Sequence, residues 1–468
     1  MTKDQILSLG PELLVFLHEF HDCFGRSEPR SHLADYVRGQ LSDLPRKSVE
    51  PIADFVGKPP RTLQEFLRVD EWDHEMLRDR VQQMVMRDHA DGQAIGIVDD
   101  SGHPKKGKHT ACVAPQYCGR TGKVDNCVVS VHLSYASFDT RFRVMLDSTL
   151  FLPEHWSDDA VRRNKAGIPD DVVYRPKYEI ALEQIDRACN NGVRLAWITA
   201  DIWYSEKPKF LSGLEQRGLR YVVEIPRNLR GWTYNPGSNP QCWPSPVENL
   251  CHFSRNMLRQ PGTRFHIKNT EKGPMVWEVK ACAFWLWRDE QVRGPYWLIY
   301  ARDVLHATEQ KYFLCNAAPG TPLETILHVG FARWPLERCL EDKKSELGLS
   351  HFEVRNYQSV HRHFYLTQVS HLFAAKQTSR LRGEKPRDNH LPGTRSGQRA
   401  HRRPVFVAQG ARQPFGQGDA EIRTHTAEKR PSKAFPYQDT NRTVETTQHR
   451  CRRTQKLYPA LALNQPAL

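Results

Sequence analysis

Near Ala94 the spacing of apolar residues changes from helical to extended, and the order of elements that follows is the strongest constraint on the fold. The runs AIGIVDD, VDNCVVSVHLSYAS and RFRVMLDSTLFL are rich in β-branched and aromatic residues and separated by turn signals, so they read as three consecutive strands. An amphipathic helix in KYEIALEQIDRACNNG follows, then a buried strand in VRLAWITAD, a helix in PKFLSGLEQRG and a strand in RYVVEIP. This βββαβαβ order predicts an α/β fold, a mixed sheet flanked by helices.

The flanks differ in character. Residues 1–90 read as an N-terminal helical region, because Leu13, Leu14, Leu17 and Phe20 recur at helical spacing. Basic clusters there, FGRSEPR and LPRKSVEP, are either DNA-phosphate contacts or ordinary solvated helix faces. With residues 91–226 as the first part of the core, 227–321 read as a β-rich insertion. Six of the 11 tryptophans fall in it, Trp232, Trp243, Trp277, Trp285, Trp287 and Trp297. In short strands such residues fill a core more often than they stack on bases. Helical periodicity returns over 322–376, the second part of the core. Beyond it, 377–468 carry 18 Lys and Arg against seven Asp and Glu, a surplus of 11 out of the net +13. So basic and apolar-poor a segment is expected to be a disordered tail, solvated or bound to nucleic acid.

Composition narrows the class further. Eleven irregularly spaced cysteines without a secretory signal point to reduced thiols in a cytoplasmic setting. No apolar run approaches the roughly 18 residues of a membrane helix. Cys112, Cys118 and Cys127 with His109 fit no common zinc spacing, and the three cysteines read as strand-core residues, while His361 and His363 read as satisfied structural histidines.

Carboxylates mark the chemistry. Two strand-like runs end in Asp99 with Asp100, and in Asp201. Arg333, Glu337 and Lys344 recur at spacings of four and seven, which puts them on one face of a helix closed by Gly348 as C-cap. Phosphoryl transfer on a nucleic acid backbone is served by two Mg²⁺ ions roughly 3.5 to 4 Å apart, which activate the nucleophile and neutralise the leaving oxygen. Asp99, Asp201 and Glu337 are the candidate catalytic and metal-holding residues, and Arg333 and Lys344 candidate phosphate contacts. Lys105, Lys106 and Lys108, in the run HPKKGKH, are further candidates for DNA contact. Singly, each has another account: a strand-end Asp is commonly a cap, and Glu337, Glu341 and Lys344 make an ordinary salt-bridged helix surface.

The blocks IVDDSGHPKKGKHTACVAPQYCGRTGKVDNCVVSVHLSYAS, GIPDDVVYRPKYEIALEQIDRA, ITADIWYSEKPKFLSGLEQRGLRYVVEIP and RWPLERCLEDKKSELGLSHFEVRNYQSVHRH resemble those of bacterial insertion-sequence transposases of the DDE superfamily. The subgroup's last block reads Tyr-x2-Arg-x3-Glu-x6-Lys; Arg333, Glu337 and Lys344 fit it, while Gly330, followed by Phe331, stands where the family has tyrosine. The resemblance spans roughly residues 10–375. It implies a ribonuclease H-like core interrupted by a β-rich insertion before the glutamate helix. It also implies cleavage at the element's inverted repeats and strand transfer into target DNA. Two Mg²⁺ ions, with Mn²⁺ as a substitute, a homodimer in the synaptic complex and a nucleoid-associated, cytoplasmic location without membrane contact go with it. It favours Asp99 over Asp100 as first ligand, and Glu337 over Glu341 as third. A ribonuclease H-like nuclease that does not join strands, and an inactive DNA-binding relic or repressor, are the rival readings.

Overall fold

Helical periodicity in the first ninety residues becomes helices α1 (Lys3–His18), α2 (Ser27–Leu41), α3 (Val49–Val56), α4 (Pro60–Arg68) and α5 (His74–His89). The computed structural model describes residues 3–383 except 238–239 and 271–272, and does not describe the side chains of 268–270, 334–343 and 382–383. Leu13, Leu17 and Phe20 are buried as the spacing predicts, whereas Leu14 points outward. The basic clusters are partly used inside the fold: Arg30 donates to the Phe24 and His21 carbonyls, and the buried Lys47 to those of Ser42 and Glu346.

The three expected strands are β1 (Ile95–Pro104), β3 (Lys123–Ala136) and β4 (Arg143–Leu150), with an unanticipated short strand, β2 (Ala114–Cys118), between the first two. Two short helices follow, α6 (Glu154–Ser157) and α7 (Ala160–Ala166). After them come α8 (Lys177–Asn190), β5 (Trp197–Ala200), α9 (Ile202–Ser205), α10 (Pro208–Gln216) and β6 (Arg220–Glu224). In space these strands run β4-β3-β1-β5-β6, with β1 antiparallel to β3 and parallel to β5. The four residues of β5 are buried completely, the pattern of a parallel strand covered on both sides.

The insertion comprises β7 (Arg230–Trp232), β8 (Ser245–Pro246), α11 (Val247–Phe253), α12 (Arg255–Leu258), β9 (Thr263–Thr270), β10 (Gly273–Arg288), β11 (Gln291–Asp303) and β12 (Gln310–Cys315). Its strands continue the core sheet, because β12 pairs antiparallel with β6 and leads on to β11 and β10. Among the described residues the result is one open 12-stranded, mostly antiparallel sheet. Trp232 and Trp277 are buried in it, but Trp243 is 89% exposed, against the expectation of a core residue.

Two long helices complete the fold, α13 (Leu323–Glu346) and α14 (Tyr357–Gly383). Gly348 adopts φ +74°, the left-handed conformation of a helix C-cap, as its position predicts. The expected tail boundary at 377 is corrected: α14 runs on to Gly383, and Gln377 is buried, because the helix packs on the N-terminal helices there. The rest of the tail, 384–468, lies outside the described residues. No helix among the described residues is long and apolar enough to cross a membrane.

Candidate active site

Strand register brings the first two carboxylates together. β1 and β5 pair in parallel through Ile97 and Thr199; two residues further on stand Asp99, within β1, and Asp201, one residue past the end of β5 and still extended as the N-cap of α9. Neighbouring strands lie about 4.8 Å apart, and residues two apart share a face, so these aspartates are side by side on the face of Ile97 and Thr199. The β5–β6 register sets Val222 beside Thr199 on that face.

Helix α13 covers the same face. A Cβ at Gly330 would stand 3.2 Å from Val222 Cγ1 and 3.3 Å from Phe313, so glycine lets the helix approach the sheet closely where any side chain would require these neighbours to give way. Phe331 packs against Trp277 and Phe313. From there Arg333, half-buried, lies 4.0 Å from Glu224 and bears electrostatically on both Asp99 and Asp201. Glu224 is one further ladder step beyond Asp201, and Lys311 holds both its oxygens at 2.8 and 2.9 Å. Lys344 bears on His103, four residues beyond Asp99. The helix therefore runs alongside β1, and its backbone at Glu337 is one turn, about 6 Å, past Arg333. The side chains of Glu337 and Glu341 lie outside the described residues.

Asp100 faces the other way. Its carboxylate pairs with Lys177 of α8, whose ammonium also sits 4.4 Å from the centre of the Trp203 ring. Asp99 instead accepts from the Asp100 backbone N–H at 2.8 Å. Burial first, then the Asp100 and Asp201 carboxylates, push the Asp99 carboxyl up to about 7, while Arg333 pulls it down. Burial likewise raises Asp201, whose Oδ1 accepts from the Tyr204 N–H at 3.2 Å. Asp201 thus caps α9 as well as facing Asp99, so its cap role and its candidate role coexist. The buried hydroxyls of Ser101, Ser134 and Tyr204 have no hydrogen-bond partner among the described residues.

Hard carboxylate oxygens, packed closely enough that Asp100 and Asp201 raise Asp99, fit a hard divalent cation. Among the described residues no three His, Cys, Asp or Glu side chains gather as a full metal-holding set. Cys112, Cys118 and Cys127 are buried free thiols; Cys118 and Cys127 sit in β2 and β3 as expected, but Cys112 lies in the loop before β2 with φ +64° rather than in a strand. His361 and His363 are buried too, and bonded to Tyr357, Leu150, Gly348 and Tyr36.

The lysine run is less close than its sequence position suggests. β1 continues to Pro104, so Lys105 starts about 20 Å past Asp99 at roughly 3.3 Å per residue. Lys105 also donates to the Phe352 carbonyl and lies over that ring, 3.3 Å from its centre. Lys106 and Lys108 are exposed. Sequence reading missed Glu224, Lys177 and Tyr204; the charged residue closing RYVVEIP was the only signal for the first.

Residues 19–262 match the family described as DDE superfamily endonuclease, a span that includes Asp99 and Asp201 and stops before α13. A relative from Microchaete diplosiphon, described as "Probable transposase for insertion sequence element IS701", is 32% identical over 332 residues, covering 69% of this chain and 76% of its own. Among solved structures, the NurA nuclease from Sulfolobus solfataricus is similar over 57% of this chain and 85% of its own. Its identity is 10% and its TM-score 0.25, too low to carry an argument.

Proposed function

The chain belongs to the insertion-sequence transposases of the DDE endonuclease superfamily, and from that premise we propose that it cuts DNA at its element's ends and joins the freed 3′-OH to target DNA. The observation that carries this reading is the nearness of the Asp99 and Asp201 carboxylates, which the β1–β5 register approaches through Ile97 and Thr199 and the mutual charge at Asp99 reflects, on the sheet face that α13 covers. A ribonuclease H-like core is part of it, supported by the order β4-β3-β1-β5-β6, antiparallel on one side of β1 and parallel on the other.

Asp99, Asp201 and Glu337 would hold two Mg²⁺ ions, which when bound activate the attacking oxygen and neutralise the leaving one. Arg333, steadied by Glu224, offers its planar guanidinium to the scissile phosphate. Lys344 adds a second positive charge further along the same helix. Asp99 would hold the cation as a carboxylate, and burial followed by the Asp100 and Asp201 carboxylates raises its carboxyl to about 7 in the cation-free protein. A homodimer holding two ends, with Lys106, Lys108 and the basic segment beyond 383 on DNA phosphates, completes the reading.

The test uses the full chain, Mg²⁺ and a duplex carrying the inverted repeats that flank the coding sequence. Wild type should nick at the repeat and yield joined products with a second duplex, and Asp201→Ala should bind the repeat yet do neither. Cleavage at wild-type rate by Asp201→Ala would refute the assignment, and nicking without joined products would favour a simple nuclease.

A further inference from the structure

Lys47, in the basic run LPRKSVEP between α2 and α3, is neither solvated nor open to DNA, being only 4% exposed. Its ammonium donates at 2.7 Å to the carbonyl of Ser42, the C-cap of α2, and also to the carbonyl of Glu346, the last residue of α13. Carbonyls at a helix C-terminus lack intrahelical donors and carry partial negative charge, so one ammonium satisfies the ends of two helices. The Lys47 backbone N–H donates to His351 Nδ1 at 3.1 Å, just beyond α13. A second link runs parallel to the first. Tyr36 of α2 bonds His363 Nδ1 at 2.8 Å, and His363 Nε2 reaches the carbonyl of Gly348, the α13 C-cap, at 3.0 Å. On the other side Ser350 Oγ bonds His103 Nδ1 at 2.9 Å, on the strand that carries Asp99.

We propose that Lys47 is a positioning residue for DNA cleavage: by joining the ends of α2 and α13 it fixes the line along which α13 crosses the sheet, and with it Arg333 and Glu337 against Asp99 and Asp201. This rests on the reading of α13 as the helix that completes the active site. The helix is pinned to the sheet at Gly330, against Val222 and Phe313. Glu346 is roughly 24 Å further along at 1.5 Å per residue. A rod held at one point pivots, whereas two holds that far apart set its direction. Glu337 lies a little under halfway between them, so a swing of about 2 Å at a freed C-terminal end moves its backbone by about 1 Å, enough to cost about 10²-fold in rate. A buried ammonium is expensive to keep, and a fixed geometry for α13 is what it brings in return.

The experiment compares full-length wild type, Lys47→Met, Lys47→Gln and Lys47→Arg by two readouts. One is amide hydrogen exchange along α13 without DNA or metal, and the other is single-turnover cleavage of pre-bound element-end duplex with Mg²⁺. Lys47→Met keeps the stem and removes the donor. Its C-terminal half of α13 should exchange about tenfold faster or more while the turn around Gly330 stays protected, and bound DNA should be cut about tenfold more slowly or worse, with gel-shift affinity level. Lys47→Arg, still a cation, should recover part of both. Wild-type exchange and rate in a folded Lys47→Met would overturn the proposal, and so would weaker DNA binding with an unchanged bound-state rate, since the lysine would then be a DNA contact. If Lys47→Met does not fold, Lys47→Gln takes its place under the same criteria. A wild type that cleaves nothing overturns the functional reading and this proposal together; a wild type that cleaves beside an unaffected variant overturns this proposal alone.

Discussion

Asp99 and Asp100 are the same residue type one position apart, yet the two faces of β1 treat them differently. On the α8 face Asp100 meets a fixed lysine and is neutralised within the protein. On the α13 face Asp99 is buried beside a second carboxylate, Asp201, and although Arg333 pulls its carboxyl down, it rises to about 7. A strand alternates its side chains, so one step in sequence separates a structural ion pair from the carboxylate that we propose receives the divalent cations. The lesson is that a carboxylate's own fold partners, rather than its presence in a motif, separate the two roles.

The largest expected consequence is in catalysis. Asp99→Asn should lower Mg²⁺-dependent cleavage of element-end DNA by about 10³-fold, the scale of losing a transition-state charge contact. Asp100→Asn should cost about tenfold or less, with a fall in melting temperature, since Lys177 is left without its partner. The reverse order in a cleavage assay would exchange the two faces.

A smaller effect sharpens the same contrast through the cation on the α13 side. Arg333→Ala should slow cleavage of bound DNA by about 10²-fold with little change in gel-shift affinity, and Arg333→Lys should recover only part, lacking the planar fork. Equal losses in binding and none in the bound-state rate would make the arginine a docking contact.

An effect of another kind, on stability rather than rate, comes from α14, which packs on β4 beyond the Asp99 site and carries the buried His361 and His363. His361 Nε2 accepts from the Leu150 N–H, and burial lowers both His361 and His363 to about 4. A histidine depressed in the folded state stabilises above its unfolded value of about 6.5, and that contribution is lost as pH falls through 4. Each unit is worth about 1.4 kcal/mol. Melting temperature should therefore drop steadily from pH 6.5 towards 4. A flat profile over that range would mean these histidines are not held neutral.

Much of this was legible because it is local. The β-branched and aromatic content of AIGIVDD and the buried apolar run of LAWITAD predict strands, and the four- and seven-residue spacing of Arg333, Glu337 and Lys344 predicts one helix, which Gly348 caps. That Asp99 and Asp100 point oppositely also follows from the strand alone. Which face α13 takes does not, since that rests on Gly330 meeting Val222 and Phe313 from distant strands. The same holds for the insertion: its strands were readable, but their addition to the edge of β6 is a long-range pairing. Glu224 and Tyr204 belong to no spacing pattern, and only the strand register and the turn after β5 bring them to the site. The lysines after Asp99 seemed adjacent because sequence distance was short, but an extended strand carries them away.

The central claim, that the α13 face of β1 and not the α8 face receives the divalent cations, is tested most directly by Mn²⁺ electron paramagnetic resonance on Asp99→Asn and Asp100→Asn at matched protein concentration. Asp99→Asn should leave nearly all the Mn²⁺ free in solution, and Asp100→Asn should bind it close to the wild-type level. Retained binding in Asp99→Asn with loss in Asp100→Asn would contradict the account.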